Sequence, residues 1–137
     1  MSAQSRIKLG AVAVDDPTMT TLLQGQISAA IGAHGLWKGH LLNAISSGKC
    51  EHDAAHVEAD DRCEFGKWLH QTIDAISKSA PHYAQVVELH ARFHQEAARI
   101  LRMVEAGNTD GAKAAMNAEY TDISGQLVQQ LMAWKSE

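Results

Sequence analysis

The chain has 137 residues, 45% of them hydrophobic and 20% charged, the proportions of one globular domain rather than of a disordered segment. A net charge of -4 at pH 7 advertises no basic face for phosphate, so nucleic acid is not an expected partner. No apolar run approaches the roughly 18 residues that cross a bilayer, and the opening MSAQSRIKLGAVAVDD lacks the apolar core of a secretion signal; membrane insertion is not expected, and the chain is placed in the cytoplasm.

Residues 1–16 are set apart as an N-terminal extension, either disordered or packed on a partner, ahead of a helical unit over 17–136. Asp16-Pro17 is a helix start, a capping acceptor followed by proline at the first helical position, and Gly48 is the corresponding stop. Within this first long helix Leu23, Ile27, Ala30, Ile31, Trp37, Leu41, Leu42 and Ile45 recur at helical spacing. His34 falls inside that stripe and His40 outside it.

The stretch KCEHDAAHVEAD (49–60) has no sustained period and reads as a loop or at most one helical turn. Asp60 or Asp61 then caps a short helix, RCEFGKWLHQTI, that carries Cys63 in its first turn, with Trp68, Leu69 and Ile73 as packing surface. Backbone N–H groups at a helix start favour a thiolate, so Cys63 is expected to be acidified.

Pro81 opens a third helix carrying Val86, Val87, His90, Phe93, His94, Ala97, Ile100, Leu101 and Val104 before Gly107 ends it. The two histidines of HARFH stand four positions apart, one above the other on the buried face. Asn108 or Thr109 starts the last helix, striped by Met116, Tyr120, Ile123, Leu127, Leu131 and Trp134. Such stripes are covered only by each other, which predicts an all-α antiparallel four-helix bundle with one short helix carrying the cysteine.

Three inward histidines, His34, His90 and His94, are costly to bury unless paired, and with Cys63 they form a set that zinc accepts. A lone histidine on an apolar stripe is more often a hydrogen-bonded core residue, and Cys63 alone a small hydrophobe; the coincidence of four is what points to metal. The remaining His40, His52, His56, His70 and His82 are expected at the surface, with His52 and His56 as weak secondary metal contacts. Cys50 reads as a free thiol, and Trp37, Trp68 and Trp134 as core aromatics.

AHGLWKGHL (33–41), CEFGKWL (63–69) and LHARFH (89–94) resemble the signature segments of the chemoreceptor zinc-binding domain family, CZB, found in bacterial chemoreceptors and in the regulatory part of some diguanylate cyclases. The cysteine segment fits the form C-x-[LF]-G-x-W-[LY] at every specified position, and the likeness runs from about residue 20 to 134. The resemblance implies one zinc held by His34, Cys63, His90 and His94 inside a four-helix bundle. It also implies that Gly66 lets the short helix approach a neighbour closely and that Trp68 fixes that helix. Further implications are cytoplasmic signalling governed by zinc occupancy or by oxidation of the bound cysteine by hypochlorous-acid-type oxidants, a homodimer, and a chemoreceptor or diguanylate cyclase-type partner. No GGDEF-type catalytic segment or signalling helix stands in this sequence, so the likeness suggests a stand-alone member acting on a separate partner or a piece of a longer protein.

The chain is not expected to be an enzyme, since HARFH lacks the glutamate of HExxH and four protein ligands leave no position for an activated water. The rival reading is a haemerythrin-like di-iron bundle that binds oxygen or acts as an oxidoreductase. Such a site needs bridging carboxylates and more histidines, and the last helix has no histidine.

Overall fold

The computed structural model describes residues 17–136; the N-terminal extension 1–16, with the Asp16 cap, lies outside the described residues. Every regular element among these residues is helical. The three long helices are α1 (Pro17–Ser47), α5 (Pro81–Glu105) and a rod made of α6 (Thr109–Ala115), a π-helical turn (Met116–Tyr120) and α7 (Thr121–Lys135). Between α1 and α5 lie α2 (Ala54–Glu58), α3 (Glu64–Lys67), which runs on as a π-helical turn (Trp68–Thr72), and α4 (Ala75–Lys78).

The helix ends follow the expected punctuation. Gly48 (φ 73°) and Gly107 (φ 78°) adopt the left-handed conformation that closes α1 and α5, and Asn108 N–H donates to the Met103 carbonyl at 2.8 Å in the latter closure. The Asn108 side chain then accepts from Gly111 N–H at 3.0 Å to start α6. Pro81 sits at the start of α5, where its missing N–H costs nothing.

Direction follows from the cross-links. Gln24 near the start of α1 donates to the Lys135 carbonyl at the end of α7, and His82 at the start of α5 meets Gln130 late in α7. The α6–α7 rod therefore runs antiparallel to both α1 and α5. The fourth strut of this up-and-down arrangement is the broken run α2–α3–α4, which returns the chain from the end of α1 to the start of α5. Its far end is tied down where Tyr83 Oη donates to the Leu69 carbonyl at 2.9 Å and Trp68 packs against Trp134. The all-α bundle is as expected, although its short side is three helical fragments rather than one.

Ile27, Leu41, Leu69, Val86, Phe93, Ile100, Leu101, Leu127, Leu131 and Trp134 are almost fully buried at the centre. Each such side chain is worth about 1.5–3 kcal/mol on burial. Leu42 is 48% exposed, because its position turns off the α1 stripe toward solvent, and Trp37 and Trp68 are half-buried lids on the core rather than members of it. The last-helix stripe is buried at all six expected positions, and the π-turn accounts for its change of step near Tyr120.

Candidate metal centre

α5 presents His90 and His94 from successive turns of one face, α1 presents His34 opposite them, and α3 presents Cys63 at its mouth. The three imidazoles are 0%, 4% and 5% exposed for His90, His94 and His34, while Cys63 is half-buried. Four donor atoms converge. The Nε2 atoms lie 3.0 Å (His34–His90), 3.1 Å (His90–His94) and 3.4 Å (His34–His94) apart. Cys63 Sγ stands 3.3 Å from His90, 3.5 Å from His94 and 4.0 Å from His34.

Hydrogen bonds behind the rings decide what faces inward. His34 Nδ1 donates to the Ala30 carbonyl one turn back, and His94 Nδ1 donates to the Val57 carbonyl of α2, both at 2.8 Å. A carbonyl can only accept, so each of these Nδ1 atoms carries the proton and each Nε2 turns a lone pair toward the centre. Two bare lone pairs and a sulfur so close together repel one another unless a cation or a proton lies between them. His90 differs, since its buried Nδ1 has no hydrogen-bond partner among the described residues.

Burial keeps the imidazoles neutral. Desolvation lowers His34 to about 4 against the pull of the Ala30 carbonyl, lowers His90 to about 2 with help from the neighbouring His34 and His94, and lowers His94 in the same sense. Cys63 corrects an expectation. It is not inside the first turn of α3 but caps it, and its sulfur accepts from Gly66 N–H at 3.2 Å; neither Asp60 nor Asp61 is the cap. Despite that N–H, desolvation by burial raises its thiol above the ordinary value, and the charge of nearby Asp60 acts in the same direction.

The donor set fits zinc. With bonds of about 2.0–2.1 Å to nitrogen and 2.3 Å to sulfur, a tetrahedral ion needs N···N edges of about 3.3 Å and N···S edges of about 3.6 Å. The observed edges of 3.0–3.4 Å and 3.3–4.0 Å bracket those values. No carboxylate belongs to the cluster, which is the only group of three or more such donors among the described residues. A bridged di-iron site finds no support there. The chemoreceptor zinc-binding domain family matches residues 34–101.

Residues 34–101 are a CZB domain. That match begins at His34 and takes in Cys63, His90 and His94, so all four donors lie within a segment whose family binds zinc. No curated protein and no solved structure matches the chain.

Gly66 of the CZB segment has a clear structural reason: a Cβ there would collide with the Asp60 carbonyl oxygen and stand 2.8 Å from its carbon. The close approach is to the turn just before Cys63, not to another helix. Trp68 stacks on Phe65, whose ring stands edge-on to His90 at 5.2 Å, so these two aromatics roof the cluster. Phe93 closes the other side against His34 and His94.

The remaining polar residues fall elsewhere. His56 Nδ1 meets Arg62 at 3.1 Å and His52 packs on Trp37; neither belongs to the four-donor cluster. His70 pairs with Asp60 at 3.2 Å, and His82 is half-buried rather than exposed. Cys50 is a free thiol whose sulfur lies 3.5 Å from the Leu101 carbonyl. The residue that sequence reading missed is Val57, whose carbonyl holds His94; a backbone acceptor leaves no side-chain signature to find.

Proposed function

We propose that this protein is a zinc-responsive regulatory module, not a catalyst, in which His34, Cys63, His90 and His94 hold one zinc ion and its occupancy sets the mobility of the broken strut between α1 and α5. The observation that carries this is the convergence of two tautomer-fixed histidines, a third imidazole and a sulfur from three separate elements. A bound zinc would supply the positive charge that this ring of donors faces. Structural zinc contributes about 10–16 kcal/mol in small peptides, much of it coupled to folding, so occupancy is strong enough to lock a segment. Four protein donors leave no free position at which a metal would activate water, which supports regulation over hydrolysis.

Cys63 is the chemically labile donor. As a thiolate its sulfur gives two electrons to a hypochlorous-acid-type oxidant and takes up the hydroxyl group, while chloride leaves; the resulting sulfenic acid is the poorer metal ligand. Zinc loss and oxidation then reach the same output. The setting we propose is cytoplasmic signalling, in bacterial chemotaxis or cyclic-di-GMP control, through a homodimer and a receptor or cyclase partner; the CZB family's association with signalling proteins supports it.

The test is zinc titration against a chromophoric chelator. One tight equivalent is expected, weakened at least tenfold in Cys63→Ala. No tight site, or an unchanged affinity in the variant, would refute the ligand assignment. If oxidant treatment releases no zinc, the redox half falls and the zinc half stands.

A further inference from the structure

Away from the four-donor cluster, two other imidazoles come together. His40 on α1 and His52 in the loop that follows it have ring centroids 5.0 Å apart, with planes inclined at 63°. The imidazole pairs of the cluster, whose Nε2 atoms meet at 3.0–3.4 Å, have centroids 4.6, 4.8 and 5.4 Å apart. The His40–His52 centroids thus lie as near to one another as those of the cluster, near enough for rotation of the two rings to bring a nitrogen of each to one cation. Neither ring is engaged in a hydrogen bond among the described residues, so their lone pairs are uncommitted. Both line a crevice with Asn43, Lys49 and Glu51, where solvent reaches them.

Packing alone gives an incomplete reason for the pair. Trp37 touches both rings, with centroids 5.1 Å from His40 and 4.8 Å from His52, and any flat side chain would cover it. What imidazole adds is a donor nitrogen, supplied here twice, once from α1 and once from the loop that follows it. Imidazole suits the borderline divalent cations, and affinity among them rises toward nickel and copper.

We propose that His40 and His52 form a second, weaker site for a borderline divalent cation, zinc, nickel or copper, with water in the remaining positions. A cation there ties the loop to α1. That loop leads directly into α2, whose Val57 carbonyl holds His94, so filling the second site stiffens the same strut that the four-donor cluster anchors. The site stands on the His40–His52 geometry and does not depend on the zinc reading of the first cluster.

The experiment titrates nickel into protein preloaded with one equivalent of zinc, following tryptophan fluorescence and, with an indicator, any zinc released. A saturable quench without zinc release is expected, with its midpoint moved at least tenfold upward in His40→Ala and in His52→Ala. In Trp37→Phe most of the quench should vanish while calorimetry still shows nickel uptake. Equal midpoints in wild type and both histidine variants would overturn the proposal. So would a quench that rises in step with zinc release, which would place nickel in the first cluster.

Discussion

Acid should destabilise the metal-free protein well above the pH at which carboxylates titrate. The cause is the depressed basicity of the buried imidazoles. An unfolded histidine titrates near 6.5, whereas in the fold His34 lies at about 4 and His90 at about 2. Because the folded values are lower, the unfolded chain takes up protons first; the stabilisation is full above about pH 6.5 and is lost as pH falls toward the folded values. At pH 5 the unfolded imidazole is nearly all protonated and the folded one nearly bare, a difference of about 2 kcal/mol for each residue. His34 and His90 together make about 4 kcal/mol, and His94, shifted in the same direction, adds to it. A domain of this size has about 5–15 kcal/mol in all. Urea unfolding of chelator-stripped protein, followed by circular dichroism from pH 8 to pH 5, reads this directly. With a urea dependence of about 2 kcal/mol per molar, the midpoint should drop by roughly 2 M, and less in His34→Leu. A midpoint constant to within a few tenths molar across that range would mean that these imidazoles are not held neutral in a dry cluster, and the account of the site would be wrong.

Gly66→Ala drives a methyl group into the Asp60 carbonyl and must displace the turn that carries Cys63; zinc affinity in chelator competition should fall at least tenfold while helical circular dichroism is nearly retained. Zinc binding at pH 7 should release about one proton, from the Cys63 thiol, because the imidazoles are already neutral; calorimetry in buffers of different ionisation enthalpy measures it, and Cys63→Ala should release none. Cys50→Ser should leave the tight stoichiometry at one zinc, since that sulfur makes its hydrogen bond to the Leu101 carbonyl and lies outside the cluster; loss of tight zinc in that variant would contradict this.

What the sequence disclosed was whatever one element decides alone. Pro81, Gly48, Gly107 and Asn108 punctuate helices by local backbone chemistry, and the stripe through Met116, Tyr120, Ile123, Leu127, Leu131 and Trp134 is a property of one rod. His34, His90 and His94 were legible because polar side chains inside an apolar stripe break its pattern. What depended on tertiary placement was not legible. The acidity expected of Cys63 came from its helix start, but the burial that outweighs it comes from the aromatics and helices around it. His52 finds its partner in His40, twelve positions back, and not in its loop neighbour His56, because Trp37 and the turn after Gly48 bring that pair together.

On the proposed function, the partners behind the four donors also say which part of the molecule would respond to metal. His34 is held by a carbonyl of its own helix, so its orientation asks nothing of the rest of the bundle. His94 is held by Val57 of α2, and Cys63 caps α3; two of the four donors are therefore fastened to the broken strut. The three long elements meanwhile share a core of Ile27, Leu41, Phe93, Leu101, Leu127, Leu131 and Trp134, none of which belongs to the donor cluster. On the proposed reading, removing zinc would break the cross-link from the strut to α1 and α5 and leave this core packed. Local opening then costs least where apolar burial is thinnest, in fragments of four or five residues. Chelation should raise amide exchange strongly through residues 54–72 and weakly in the middle of α5 and α7. Equal acceleration in all of them would show that zinc holds the whole bundle together, and a partner would then sense folding itself rather than the release of one strut.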